Sequence, residues 1–168
     1  MQLTGLLHGA PLLKHVDFPT AEVLGPDASE GQIQDLIRRH GQVFVKPLFK
    51  GAIGKKGKAG LIGRATDLAQ ALAEKERLYF AEHRHGNVSA KANGVSFEGG
   101  VPAEHEVYFS ITDDTRFRAP TITLTHKGGV AIEELDKSDI ATVPFDALTG
   151  LKAFVIANAL SDIGAPRE

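Results

Sequence analysis

Residues 43–63 read VFVKPLFKGAIGKKGKAGLIG, an apolar run that leads into a segment rich in glycine and lysine. The residues VFV at 43–45 are typical of a buried strand, and Lys46 stands at its end. Five glycines lie among the lysines of residues 50–63. Because glycine lets backbone N–H groups approach a polyphosphate and lysine neutralises its charge, the stretch predicts a hairpin that folds over phosphates, with a second strand near 60–63.

This loop does not match either of two common phosphate-binding motifs. A P-loop needs a glycine, four residues, and then Gly-Lys followed by Ser or Thr. Here Ala59 follows Lys58, and Gly51 lies one position too far upstream. The dinucleotide fingerprint fails as well, since no Gly-x-Gly opens the loop. A strand lysine followed by a glycine-lysine hairpin fits the residues better.

The basic charge of the chain is concentrated around the hairpin. No acidic residue lies between Asp35 and Asp67, whereas eight of the 19 lysines and arginines lie there. The rest of the chain holds all 21 acidic residues, so the formal net charge of -2 conceals a basic block in an acidic domain. Such a block favours an anion site, with phosphate as the first candidate; the alternative is a solvated lysine-rich loop.

Helices are predicted on both sides of the hairpin. Ser29 and Gln32 have the spacing of a capping box before an apolar helical face, and Gly41 stands where that helix would end. Thr66 is the expected cap of a second helix, which should end near Tyr79. The first half of the chain therefore predicts a small unit flanked by helices.

The second half has a more antiparallel pattern. Residues 83–93 are polar and indicate a loop, and residues 95–97 indicate a short strand. Residues 106–112 and 121–125 alternate between apolar and polar, which predicts an antiparallel hairpin. Helical spacing from Leu148 onward predicts a last helix. Together the two halves predict an α/β (α+β) fold.

Composition excludes several classes of protein. The chain has no cysteine, which excludes disulfides, thiolate metal sites and a cysteine nucleophile. No apolar run approaches the roughly 18 residues of a membrane span, and no secretory signal pattern opens the sequence. We expect a cytoplasmic protein without a membrane partner.

Two glutamates downstream of the hairpin are candidate nucleotide ligands. Glu98 ends a predicted strand, and Glu106 begins another after Gly99, Gly100 and Pro102. A carboxylate where a strand meets a linker commonly binds the ribose hydroxyls or the adenine edge of a nucleotide. Spacing alone makes Glu98 such a candidate and leaves a structural role open.

The histidines allow alternative interpretations. His83 and His85 have the spacing of a metal-binding pair on a strand, but their polar surroundings favour solvent exposure. His105 could tune Glu106 electrostatically or simply be an exposed neighbour. His126 is assigned a structural or surface role.

Four stretches in series resemble one known enzyme family. They are residues 43–63, VSFEGGVPAEHEVYFSITDD at 95–114, THKGGVAIEEL at 125–135 and VPFDALTGL at 143–151. They are similar to the amino-terminal part of the ATP-grasp β subunit of succinyl-CoA synthetase, and to ATP-citrate lyase and malate–CoA ligase. The resemblance implies the nucleotide-binding portion of an ATP-grasp fold, with a first subdomain at 1–92 that contains the glycine-lysine loop and the start of a second at 93–168.

The resemblance implies one set of nucleotide-binding residues. They are Lys46, Lys55, Lys56, Gly57, Glu98, Val101 and Glu106. The lysines and the glycine would hold the ATP phosphates, and Lys46 would stabilise charge on the transferring phosphoryl group. The glutamates would hold the rest of the nucleotide, with a backbone contact near Val101. No other catalytic residue is expected in this chain.

The family reaction defines the implied cofactors and partner. ATP phosphorylates a histidine, an acyl phosphate forms on a carboxylic acid, and the acyl group passes to coenzyme A. The resemblance therefore implies ATP, with Mg²⁺ in the complete enzyme, and a CoA-binding α-type subunit or domain that carries the phosphohistidine. The identity of the acid, and the choice between ATP and GTP, stay open.

One departure from the family pattern concerns the metal. The family holds magnesium through an Asn-Pro motif, and this sequence contains no Asn-Pro pair. We therefore expect the metal ligands beyond Glu168, and a chain that is incomplete at its carboxyl end and inactive alone. The alternative function is a noncatalytic module that binds another polyanion or serves assembly, although the acidic remainder argues against nucleic acid.

Overall fold

The computed structural model describes residues 5–50, 59–129 and 132–166. The chain divides into two compact units, Met1–Pro102 and Ala103–Glu168. Across the described residues, no helix combines the length and hydropathy needed to cross a membrane.

The described part of the chain contains four α-helices and eight strands. The helices are α1 Gly5–Lys14, α2 Glu30–His40, α3 Leu68–Leu78 and α4 Ala153–Asp162. The strands are β1 Val23–Leu24, β2 Val43–Phe49, β3 Gly63–Ala65, β4 Glu82–His85, β5 Val88–Gly99, β6 Tyr108–Asp114, β7 Ala119–Thr125 and β8 Ala141–Pro144. Two short 3-10 helices lie at Ile132–Glu134 and Lys137–Asp139.

The first unit is built on an antiparallel sheet with β5 near its centre. Its described strands lie in the order β1, β5, β2, β3, and β4 pairs with the first part of β5. Residues of α2 and α3 form one apolar core with the strands, which includes Ile33, Leu36, Val43, Val45, Ala71, Leu78, Val95 and Phe97. Because side chains alternate along a strand, Phe44 and Lys46 lie on the face opposite Val43 and Val45.

The capping box of α2 is confirmed. The Gln32 backbone N–H donates to Ser29 Oγ, and the Ser29 N–H donates to Gln32 Oε1 at 2.8 Å. Gly41 ends the helix with φ of 71°, a left-handed conformation that glycine adopts without steric cost. The predicted cap of α3 is one residue off, because Asp67 accepts the Gln70 N–H while Thr66 lies before it.

The hairpin is present, but its strands differ from the prediction. Lys46 lies in the middle of β2 rather than at its end, because β2 continues through Pro47 to Phe49. Pro47 pairs with Val95 of β5, but among the described residues β3 pairs only with residues 43–45 of β2, so a proline at this position interrupts no described β2–β3 pairing. The second strand, β3, begins at Gly63 rather than near residue 60.

The predicted loop at 83–93 is wrong, because these residues form the β4–β5 hairpin. Along the start of β5, Ala90 and Ala92 alternate with polar residues and face the core. Their small apolar side chains give only a weak indication of a strand, whereas the many polar residues of 83–93 indicate a loop. His83 is buried rather than exposed, with its ring centroid 6.2 Å from that of Phe49.

The second unit contains a sheet in the order β6, β7, β8, covered by α4. The predicted β6–β7 hairpin is confirmed, with Phe109 opposite Leu124 and Ile111 opposite Ile122. Leu124 and Ile122 are buried, whereas Phe109 and Ile111 are about half exposed at the sheet edge. The last helix begins later than predicted, at Ala153, after a turn in which Asp146 accepts backbone N–H groups.

The boundary between the units lies after Pro102, later than the predicted division at residue 92. The physical reason is that β5 is one continuous strand of the first sheet. Its residues 92–99 pair with β2, and Phe97 and Glu98 also pair with β1.

We predict that replacing Ser29 by alanine lowers the free energy of unfolding by about 1 kcal/mol, because the capping box of α2 loses its hydroxyl acceptor. Urea unfolding followed by circular dichroism measures this. Ser89→Ala, at an exposed serine of β5, is the control and should change stability by less than about 0.5 kcal/mol. Equal losses in both variants would contradict the capping role.

Candidate functional site

Lys46 and Glu98 form the centre of a polar cluster in the first unit. Lys46 Nζ donates to Glu98 Oε2 at 2.6 Å, although 52 residues separate the two in sequence. The Glu98 side chain is 9% exposed, and that of Lys46 is 38% exposed. The pair therefore joins a nearly buried carboxylate to an ammonium group that still reaches solvent.

The register of β2 against β5 brings these residues together. Phe44 pairs with Glu98, and Lys46 pairs with Ser96. Residues two apart on a strand lie on the same face, so these four side chains share one face of the sheet. Lys46 thus reaches Glu98 diagonally, across adjacent strands.

Ser96 is a member of this cluster that sequence reasoning missed. Its Oγ donates to Glu98 Oε1 at 3.2 Å, and the residue is 2% exposed. The signal was present in the sequence, because a serine two positions before Glu98 in a strand must share its face. The apolar residues Val95 and Phe97 on either side of Ser96 predict a buried strand but give no sign of a polar cluster on its other face.

The backbone after Glu98 is packed against two side chains. A Cβ added at Gly99 would lie 2.7 Å from His40 Cδ2, and one at Gly100 would lie 2.5 Å from Gln42 Cγ. The Gly100 N–H donates to the Gln42 carbonyl at 2.9 Å. The Glu-Gly-Gly sequence therefore lets the end of β5 lie directly against the last residue of α2 and the segment that leads to β2.

An ion cluster supports the same end of β5. The Gly99 N–H donates to the Glu22 carbonyl, while the Glu22 carboxylate accepts from Arg39 at 2.5 Å and lies 3.2 Å from His40 Nε2. The His40 hydrogen bond, together with Arg39, holds the pKa of Glu22 below its ordinary value of 4.5, although partial burial opposes this.

The second unit holds Glu106, which is exposed just before β6. The Gly128 N–H donates to the Glu106 carbonyl at 2.7 Å. A Cβ at Gly128 or Gly129 would collide with Glu106. The Gly-Gly pair of the THKGG stretch therefore permits close packing of its backbone against Glu106.

The other predicted residues are placed only in part. Val101 follows the first sheet and its side chain is 60% exposed. Lys55, Lys56 and Gly57 lie outside the described residues, so their assignment stays a prediction. In the part of the chain that is described, no group of three potential metal ligands occurs.

Two of the seven histidines, His105 and His126, lie in the second unit. His105 and His126 line a pocket of about 280 Å³ with Val107, Leu160 and other apolar residues. His126 Nδ1 is buried and has no hydrogen-bond partner among the described residues. The structural or surface role of His126 stays a prediction.

Sequence comparison relates the chain to known ligases. It is 26% identical over 161 residues to the succinate–CoA ligase [ADP-forming] subunit β of Bordetella petrii, an alignment that covers 93% of this chain and 42% of that protein. It is 33% identical over 114 residues to the ADP-forming sulfoacetate-CoA ligase subunit SauC of Bilophila wadsworthia, covering 66% and 29%. The chain is related to subunits of ADP-forming CoA ligases. No family model matches it.

Solved structures share the fold of this chain. An acetyl-coenzyme A synthetase of Ca. Korarchaeum cryptofilum superposes with a TM-score of 0.60 at 16% identity, over 94% of this chain and 77% of that chain. An ATP citrate lyase of Methanothrix soehngenii gives 0.54 at 19% identity, over 90% and 39%. These likenesses confirm the predicted α/β (α+β) ATP-grasp class. The chain spans about two-fifths or less of the length of the curated relatives described above.

We predict that Lys46→Met lowers the free energy of unfolding by about 1–3 kcal/mol, because it leaves the nearly buried Glu98 carboxylate without its cationic partner. Adding Glu98→Gln should recover part of the loss, since the uncompensated charge is then removed. Urea unfolding measures both effects. Lys91→Met is a matched control, because Lys91 also faces a glutamate across β4 and β5 but is 61% exposed. A Lys91→Met loss as large as that of Lys46→Met would contradict the prediction.

We predict that the stability difference between the wild-type chain and Glu22→Gln is present at neutral pH and shrinks as the pH falls below 4.5. A carboxylate whose pKa is lowered by folding contributes stability above its unfolded pKa and loses it as the pH passes its folded pKa. Urea midpoints measured between pH 7 and pH 3 test this. Glu82→Gln, at a glutamate 74% exposed, should show no such difference. A Glu22→Gln difference that stays constant with pH would be the contrary result.

Proposed function

We propose that this chain is the ATP-binding portion of an ADP-forming acid–CoA ligase, in which it positions the ATP phosphates for phosphoryl transfer. The observation that carries the proposal is the Lys46–Glu98 contact of 2.6 Å between adjacent strands. It supplies a cation and a carboxylate in a chain related to subunits of ADP-forming CoA ligases.

Lys46 binds the phosphates in this proposal. Its ammonium group carries three N–H donors, and Glu98 Oε2 accepts one of them. The remaining donors are available to phosphate oxygens, since the side chain is 38% exposed. A cation fixed on a strand stabilises negative charge on the transferring phosphoryl group with little reorganisation.

Glu98 and Glu106 bind the nucleoside part in this proposal. Ionised carboxylates are acceptors, which suits the ribose hydroxyls and the adenine amino group. Lys55, Lys56 and Gly57 would add phosphate contacts, and the backbone near Val101 would contact the base.

The complete enzyme needs further components. We assign Mg²⁺ to the ATP phosphates, with metal ligands from outside this chain. A CoA-binding α-type subunit or domain would carry the phosphorylated histidine. The Bordetella relative is itself named as a β subunit, which supports a division of labour between subunits.

Calorimetric titration of the chain with Mg-ATP tests the proposal. We predict that Lys46→Met weakens Mg-ATP binding at least about tenfold, because the phosphates lose a direct charge partner. Lys91→Met should leave the affinity unchanged. Circular dichroism checks that each variant is folded under the titration conditions, and Lys46→Arg, which keeps the charge, should lose less affinity than Lys46→Met.

Besides a failure of the wild-type chain to bind Mg-ATP, two outcomes would overturn the proposal. One is unchanged Mg-ATP affinity in a folded Lys46→Met variant. The other is tight binding of RNA or DNA with steep salt dependence and no preference for ATP, which would favour a polyanion-binding module around the basic residues 36–66.

A further inference from the structure

We propose that Ser96 is a positioning residue for the nucleotide site, where it fixes the Glu98 carboxylate in the orientation that receives the nucleoside. This inference rests on the proposed function. It assigns a role to a residue that lies in the middle of β5 and touches no phosphate itself in the proposal.

The geometry gives each carboxylate oxygen of Glu98 its own donor. Ser96 Oγ donates to Oε1 at 3.2 Å, and Lys46 Nζ donates to Oε2 at 2.6 Å. One donor alone would leave the carboxylate free to rotate about its last side-chain bond. Two donors at different oxygens define the plane of the group.

The register of the sheet holds both donors in place. Ser96 pairs directly with Lys46 across β2 and β5, and it lies two residues before Glu98 on the same face. All three positions are therefore fixed by backbone pairing rather than by flexible loops. Such a carboxylate binds a partner with a smaller loss of side-chain freedom than a mobile one.

Burial increases the importance of the hydroxyl. Ser96 is 2% exposed and Glu98 is 7% exposed, so water has little access to replace the hydrogen bond if the hydroxyl is removed. Removing the hydroxyl therefore loosens the carboxylate on the side that Lys46 does not hold.

A double-mutant cycle on nucleotide binding tests the role. Ser96→Ala should weaken Mg-ATP binding about five- to tenfold in the wild-type background, and it should have almost no effect in a Glu98→Gln background. Calorimetric titration of this chain with Mg-ATP gives all four affinities. A purely structural serine would lower the urea midpoint without moving the affinity of the folded protein.

Matched variants complete the test. Ser89→Ala, at an exposed serine of the same strand, should leave the affinity unchanged. Ser96→Thr, which keeps the hydroxyl, should bind within about twofold of wild type. If Ser96→Ala does not fold, Ser96→Cys, which replaces the hydroxyl by a larger and weaker donor, should also lose affinity.

The results separate this inference from the proposed function. If the wild-type chain binds Mg-ATP and Lys46→Met weakens it, unchanged affinity in Ser96→Ala overturns the role of Ser96 alone. An equal loss in the wild-type and Glu98→Gln backgrounds also overturns it, because Ser96 would then not act through Glu98. Failure of the wild-type chain to bind Mg-ATP overturns both.

Discussion

The pairing of β2 with β5 is the constraint on which the first unit depends. It sets Lys46 opposite Ser96 and Phe44 opposite Glu98 on one face, and the apolar core on the other. A shift of the register by one residue would exchange the two faces and expose the core. The register that keeps side chains such as Val45 buried therefore also holds the polar residues together on the opposite face. Folding and the candidate site use the same register.

The ends of β5 are supported in different ways. At its start, β5 forms a hairpin with β4, and at its end it lies between β1 and β2. The Glu22 carbonyl accepts the Gly99 N–H, and the Glu22 carboxylate contacts Arg39 and His40 of α2. Glu98 is thus followed by backbone that both a strand and a helix hold in place. These contacts restrict the movement of the backbone next to Glu98.

Much of the fold could be predicted from local sequence signals. The Ser29 capping box, the Gly41 helix end and the β6–β7 hairpin each depend on a few neighbouring residues with specific chemistry. The β4–β5 hairpin was missed because alanines provide little apolar contrast, and its pairing depends on the whole sheet. The sequence also did not predict the full length of β2. A proline such as Pro47 usually marks the end of a strand, because it has no N–H to donate to a neighbouring strand.

The candidate site could be predicted in part. Residue type and resemblance predict Lys46 and Glu98 as nucleotide ligands, and the structure brings the two side chains to 2.6 Å, while their role stays a prediction. Ser96 was missed because a serine carries no charge and its partner becomes evident only with the strand register. The contribution of Lys55, Lys56 and Gly57 stays a prediction. The sequence therefore predicts which charged side chains are candidates, but the hydrogen bonds that orient them require the strand register.

The glycines that pack beside the two candidate glutamates should tolerate substitution less well than glycines elsewhere in the chain. At Gly99, Gly100, Gly128 and Gly129 a methyl group would meet a neighbouring residue at close range, whereas at Gly9 and Gly31 it would meet open space. Random mutagenesis should thus deplete even alanine at the first four and accept it at the other two. A survey of tolerated variants would outline the surroundings of both glutamates without any ligand.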